Sequence, residues 1–448
     1  MKKNVVFWVG VKNERYSEKY GGWEWMDITR KSWEYWCKKH DVIFFPMEDA
    51  IEKDLTKFRI NWQKAIFCFD LLDEAGIDYD QIYLVDGMNI IKWDTPNVFE
   101  LTDHKFTAWR DTDNLGWTYK SIVGYNDFFD GYEFDKQKYF SSGLIIFNEQ
   151  HKKVFKSFKK LYYDNVDKFV ELQDKTVGKG TEQTPLNYHL QINDVEMNLD
   201  LPFSYKLTHI HRKEMFKYNW QLNEDPTPFF IKYGHVWGFS GLPKNQRTEV
   251  ISQTWDMVKH HYDENHFLNN LVHKDEWCKT TSRKFKEDIL RIFDGKKDLI
   301  CLELGSCRGD TTRIFAECFK RVHSFERSDE NIKYIRERCS DVDNIEYNQV
   351  DVYGSDFKIP NNIDVAFVDA GHSTDLVLHD IERLLENNPK MILIFDDYGQ
   401  ADGSIKNAIT KSNLSISRHI GEYNGFICHN MANKEVKFVG REGVICNL

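Results

Sequence analysis

The chain has 448 residues, 41% apolar and 15% aromatic, enough for two cores, because single cores stop growing at roughly 250 to 300 residues. A net charge of −11 argues against a protein held nonspecifically on nucleic acid, which needs an excess of Lys and Arg to neutralise phosphates. No apolar stretch approaches the ~20 residues of a membrane span, and the nine cysteines form no CxxC pair, so a soluble protein of a reducing cytoplasm is expected.

"NVVFWVGV" predicts a continuous apolar strand. "DITRKSWEYWCKKH" carries Ile28, Ser32, Tyr35, Trp36 and Lys39 at helical spacing behind an Asp27 cap, and "DVIFF" returns to strand, a βαβ opening. "TKFRINWQKAIFCFDLLDEAG" predicts a helix with Phe58, Trp62, Ile66, Phe69 and Leu72 on one stripe, Thr56 as cap and Gly76 as stop. It runs into a strand that ends at Asp86 in "VDGMN". "HKFTAWR" and "YFSSGLIIFN" predict two more strands, "VELQDKTVGKG" a loop and "TEQTPLNYHLQ" a helix. Between about residues 255 and 285 the pattern turns polar and helix-prone, which places a domain junction near residue 265 and predicts domains of 1–264 and 265–448. Beyond it, "DLICLELG", "RVHSFE", "NIEYNQV", "IDVAFVDA" and "KMILIFDD" predict strands of a doubly wound parallel sheet buried on both faces. Both halves are therefore expected to be α/β.

In the second half, "LICLELGSCRGDTTRIF" puts Gly305 and Gly309 in a strand-to-helix turn where backbone can approach a ligand. Cys307 fills the middle glycine of the dinucleotide fingerprint, which disfavours a pyrophosphate seat. Carboxylates follow at strand ends: Glu326 suits a ribose diol, Asp351 an adenine amino group, and Asp369 closes the next strand. This order resembles class I S-adenosylmethionine-dependent methyltransferases, Rossmann-like in fold, over roughly residues 280 to 430, and implies cofactor contacts from Glu303, Gly305, Ser306, Gly309, Glu326 and Asp351. "FVDAGHSTDLVLHDI" followed by "MILIFDDYG" is similar to the metal-assisted O-methyltransferases acting on sugar hydroxyls. That similarity implies Mg²⁺ on Asp369, Asp396 and Asp397, an oxygen-rich set suited to a hard cation. Gly371 stands where many relatives carry a second acid, which leaves His372 as the expected general base beside the catalytic Asp369. The structural alternatives are an aspartate pair that only caps a turn and a His372 that only starts a helix.

In the first half, the order "VDGMN", "YFSSGLIIFN", "TEQTPLN" and "HVWGFSGLPK" resembles the GT-A-type nucleotide-sugar glycosyltransferases, nearest to retaining members and to phage transferase-like proteins, over residues 1–250. The resemblance implies Mn²⁺ or Mg²⁺ held by Asp86 and His235 against a sugar nucleotide, with Met88 in place of the second acid. A thioether is a poor partner for a hard cation, which leaves three arrangements open. Asp86 and His235 hold a metal with help from the diphosphate; Lys12, Arg59 or Lys244 neutralise the leaving group; or the domain binds without catalysing. The resemblance also implies Glu182 and Gln183 facing the reacting sugar carbon, although Thr181 could simply cap that helix. Trp237 is expected to touch the ligand, and Trp33, Trp36 and Trp62 to be core.

The joint expectation is a bifunctional enzyme that transfers a sugar to a glycan acceptor and methylates a sugar hydroxyl. Its rivals are a methyltransferase with an inactive nucleotide-sugar-binding half, and a phage-type modifier of nucleic-acid bases, which the acidity disfavours. The donor sugar, the acceptor and the oligomeric state are not legible in the sequence.

Overall fold

The computed structural model describes residues 2–12, 22–111, 114–176, 181–207, 228–242, 246–423, 425–429 and 435–448; Lys244 lies outside them. The described residues form two compact units, one ending at Asp263 and the other starting at Glu264.

The first unit opens with three parallel strands, β1 (Lys3–Val9), β2 (Ile43–Met47) and β3 (Tyr79–Asp86), with β1 between the others. Side chains alternate across β1 as a strand requires. Val5 and Phe7 enter the core beneath helix Ile60–Glu74, whereas Val6 and Trp8 enter the core beneath helix Glu24–Lys39. Burial on both faces is why the strand reads as an unbroken apolar run. After β4 (Asn89–Ile91), the sheet is extended by β5 (Phe106–Arg110), β6 (Phe140–Asn148) and β7 (Met197–Asn198) in the order β2-β1-β3-β6-β5-β7, with β6 antiparallel to both neighbours. A short strand β8 (Val236–Gly238) pairs antiparallel with β4.

Helix Ile60–Glu74 starts four residues later than its expected cap: Thr56 sits in a preceding turn, bonded to Asp54. Gly76, at φ +67°, ends that helical segment as expected. The expected loop from 170 begins instead as helix to Glu171 and continues as a wide turn, Leu172–Thr176.

The second unit is a seven-stranded sheet. Strands β9 (Ile300–Leu304), β10 (Arg321–Glu326), β11 (Ile345–Gln349), β12 (Val365–Val368) and β13 (Ile392–Phe395) are parallel, in the order β11-β10-β9-β12-β13. Strand β14 (Ile416–Ile420) is at the edge; a hairpin of β15 (Ile427–His429) and β16 (Glu435–Lys437) follows, and β17 (Gly443–Cys446) inserts antiparallel between β13 and β14. The strand order reverses between β9 and β12. In open α/β sheets such a switch point, at the carboxyl ends of the strands, is where ligands bind.

Candidate functional sites

At the switch point of the second unit, β9 delivers Glu303 and then a tight loop. Gly305 has φ +88°, and a Cβ there would lie 2.6 Å from the Asp369 carbonyl oxygen, so only glycine lets the β9 and β12 ends approach this closely. Gly309 closes the loop at φ +85°, and Ser306 shares a hydrogen bond with Ser324. Glu326, at the end of β10, accepts from the Cys307 and Ser328 N–H groups, both at 2.9 Å, and thereby pins the loop. The cleft is lined by Lys279, Glu303, Gly305, Cys307, Arg308 and Asp369 among others. Glu303 accepts from Thr312 at 2.7 Å, while its other oxygen is buried without a partner. Burial pushes its carboxyl up to about 7, against the hydrogen bond from Thr312. Asp351 is exposed after β11 and accepts from the Tyr353 N–H at 3.0 Å; it is not among the cleft-lining residues.

Beside this cleft the two aspartates that follow β13 meet Lys274, which no sequence pattern singles out. Lys274, 2% exposed, reaches Asp396 Oδ2 at 2.6 Å and Asp397 Oδ1 at 2.8 Å, with Glu442 Oε1 at 3.6 Å. Consecutive strand residues normally point to opposite faces, but Asp397 adopts φ +57°, and both carboxylates turn to the same ammonium. Glu442 is fully buried and also accepts from the Ser282 and Glu422 N–H groups. Burial works against the Lys274 ammonium, yet Asp396, Asp397 and Glu442 together hold its pKa well above the ordinary value. Burial, reinforced by Asp397, drives the Asp369 carboxyl well above the usual carboxylate range. Three acids, Asp396, Asp397 and Glu442, thus share one resident cation.

Asp369, His372 and Asp397 bring ligand atoms within 4.8 Å of one another, and His372 Nδ1 lies 3.4 Å from Asp397 Oδ2. Of the three aspartates expected to hold a cation, Asp369 and Asp397 are brought together. Asp396 faces Lys274 instead, with Oδ1 buried and unpartnered, so its expected ligand role is corrected.

In the first unit, Asp86 ends β3 as expected, but its partners are not. Lys64, a fully buried lysine in helix Ile60–Glu74, donates to Asp86 Oδ1 at 2.7 Å and to the Ser142 carbonyl at 3.0 Å, and lies 3.1 Å from Glu182 Oε1. Its three N–H bonds match these three acceptors. Burial raises the Asp86 carboxyl while Lys64 opposes the rise. Asp86 Oδ2 overlies Gly143, where a Cβ would come within 2.9 Å of it.

Several expectations fail here. Glu182 is 1% exposed; besides Lys64 it accepts from Ser142 Oγ at 2.7 Å and from Thr181 Oγ1 at 2.6 Å, so it cannot face a sugar carbon. Thr181 spends its hydroxyl on Glu182 and does not cap the helix. Met88 is partly buried and packs against the apolar core. His235 does not join Asp86: Asn89 pairs with Gly238, whereas the His235 carbonyl receives the Lys92 N–H, about 10 Å further along the strand at ~3.3 Å per residue. The His235 ring lies against Tyr205 instead. Trp237 is fully buried, as are Trp33, Trp36 and Trp62. Lys12 pairs with Asp27 and Arg59 with Asp174. Gln183 does stand at the site, accepting from the Ser142 N–H at 3.1 Å and donating to Asp111 Oδ2 at 2.8 Å.

Residues 302–398 match a family model described as "Methyltransferase domain". No match is found among curated proteins. Among solved structures, the chain is similar to a glycosyltransferase involved in glycosylation of the major capsid of PBCV-1, 9% identical over 56% of this chain and 99% of that one, with a TM-score of 0.38. It is also similar to the N-methyltransferase NodS from Bradyrhizobium japonicum in complex with S-adenosyl-L-homocysteine (16% identity, 40% of this chain and 94% of that one, TM-score 0.29). A precorrin 8w decarboxylase from Methanobacterium thermoautotrophicum is 17% identical over 40% of this chain and 95% of that one, with a TM-score of 0.30. No helix among the described residues is long and apolar enough to cross a membrane.

Proposed function

We propose that the second unit transfers a methyl group from S-adenosylmethionine to a hydroxyl, that of a sugar, and that the first unit binds and transfers a sugar from a nucleotide donor. The observation that carries the first half of this reading is the Glu303–Gly309 loop pinned by Glu326 beside Asp369, within the stretch that matches the methyltransferase domain. In it, Glu326 has lone pairs left for a ribose diol, and Asp351 sits further along the same sheet edge for the base.

His372 is the proton acceptor of this reading. Its Nδ1 turns to Asp397, which fixes the ring and leaves Nε2 for the acceptor hydroxyl, and the ring is exposed enough for that hydroxyl to reach it. Asp369 and Asp397 are a donor set that fits Mg²⁺, which takes one or two carboxylates and keeps several waters. Bound there, the ion would lower the pKa of the hydroxyl. Methyl transfer then breaks the sulfonium C–S bond and forms C–O, with the proton on His372.

In the first unit Asp86 Oδ2 offers a hydrogen-bond acceptor to a sugar nucleotide, with Gln183 tying Ser142 to Asp111 beside it. The residues do not fit the expected divalent ion, because Met88 is a thioether and His235 is registered elsewhere, so sugar transfer is read as metal-independent. Burial of Glu182, and a thioether at Met88 where an acid would stand, also favour a second reading, in which this unit binds a nucleotide sugar without catalysing.

Titrating the whole chain with S-adenosylhomocysteine and with a panel of UDP-, GDP- and TDP-sugars tests both halves. Glu326→Ala is expected to abolish the first interaction alone, and Asp86→Ala the second alone. Nucleotide-sugar hydrolysis at the same rate in wild type and Asp86→Ala would select the binding-only reading.

A further inference from the structure

We propose that Lys274 is the positioning residue of the cation seat in the methyltransferase domain: it claims Asp396 and one oxygen of Asp397, so that Asp369 and Asp397, rather than the adjacent aspartate pair, take the divalent ion. The inference rests on the reading of this domain as metal-assisted.

The geometry leaves one side of the cluster free. An ion chelated by Asp396 Oδ2 and Asp397 Oδ1 would stand where the ammonium stands, 2.6 and 2.8 Å from those atoms. Two cations cannot share that point. Asp397 Oδ2, by contrast, faces His372 at 3.4 Å and joins Asp369 in the group whose ligand atoms lie within 4.8 Å. Asp397 is thereby divided between a resident cation on Oδ1 and a visiting one on Oδ2. The ammonium on Oδ1 bars an ion from the Asp396 side and leaves Oδ2 as the open ligand atom of Asp397. Glu442, at 3.6 Å, holds Lys274 from behind and is itself fixed by the Ser282 and Glu422 N–H groups. Lys274 and Glu442 both lie outside residues 302–398, so the seat is completed by segments flanking the matched stretch.

The test uses the full chain, with Mn²⁺ as probe, free Mn²⁺ read by electron paramagnetic resonance, and S-adenosylhomocysteine binding read by calorimetry. Asp397→Asn and Asp369→Asn are expected to weaken Mn²⁺ by about 10- to 100-fold, the scale on which metal sites respond to lost partners. Asp396→Asn is expected to leave it unchanged. Lys274→Met removes a cation from beside the seat and frees Asp396, so Mn²⁺ should bind tighter, on the order of tenfold, and Lys274→Arg should restore the wild-type value. A lysine that merely supports the fold would not tighten metal binding when removed. The proposal is overturned if Asp396→Asn weakens Mn²⁺ as much as Asp397→Asn, or if folded Lys274→Met binds Mn²⁺ no tighter than wild type. Should Lys274→Met fail to fold, the two aspartate variants decide alone. A chain that binds S-adenosylhomocysteine but does not bind Mn²⁺ overturns the seat and spares the donor reading; no binding of S-adenosylhomocysteine strikes the donor reading itself.

Discussion

Replacing Lys64 by Met should be among the most damaging single changes in the first unit. Lys64 lies 2.7 Å from Asp86 Oδ1 and 3.1 Å from Glu182 Oε1, with side chains 2%, 22% and 1% exposed. At an effective dielectric of ~20 the two attractions amount to about 6 and about 5 kcal/mol before desolvation, which removes several kcal/mol per ion. Methionine keeps most of the volume but leaves two acids facing each other without a cation, and breaking a buried pair from one side costs about 3 to 5 kcal/mol. Adding Glu182→Gln removes one of the stranded charges, so the double variant should recover a large part of that loss. Urea unfolding of wild type, both singles and the double, followed by tryptophan fluorescence, gives the coupling energy. A loss below about 1 kcal/mol for Lys64→Met, or strictly additive effects in the double, would refute the ion-pair account.

Other outcomes follow from the same geometry. The Glu303 carboxyl is raised from 4.5 to about 7, so the native state binds the extra proton between those values and stability falls as pH rises through them. Glu303→Gln should abolish that slope and leave the second unit up to about 3 kcal/mol more stable at pH 8, with no gain at pH 4, in denaturation series at fixed pH. Gly143→Ala should weaken nucleotide-sugar binding about tenfold or more by calorimetry, because its Cβ would come within 2.9 Å of Asp86 Oδ2. Glu326→Gln, which loses two charge-assisted bonds, should weaken S-adenosylhomocysteine about tenfold or more, and Asp351→Asn less. EDTA should suppress methyl transfer and leave any nucleotide-sugar turnover unchanged, as followed by product chromatography.

Wherever one physical rule governed a whole segment, the fold was legible. Strands β1, β3, β9, β12 and β13 are buried on both faces and announced themselves as apolar runs. Strands β14 and β17 escaped notice: "ISRHI" is mixed and half exposed, and "GVIC" is short. Acids placed at strand ends, Glu326, Asp369 and Asp86, could be located because the strand itself fixes where its last residue goes. Their partners could not. Lys274 sits in "VHKDEW", where a lysine reads as solvated, and Glu442 in "REGV" reads as a turn. Lys64 did leave a trace, since "NWQKAIFCF" is buried nearly all round and a lone cation inside such a helix needs an acid. The pairing of Asp86 with His235 failed for want of register, which a motif order does not carry.

Strand β17 has a consequence for how the second unit comes into being. It lies in the interior of the sheet, between β13 and β14, although almost the whole unit precedes it in sequence. During synthesis β13 and β14 must therefore wait, edges open, for a late segment to slot between them. Glu442, which immediately precedes β17, arrives at Lys274 in the same event. A product truncated ahead of Gly443 would expose two unsatisfied edges at once, the kind of surface that chaperones and proteases recognise.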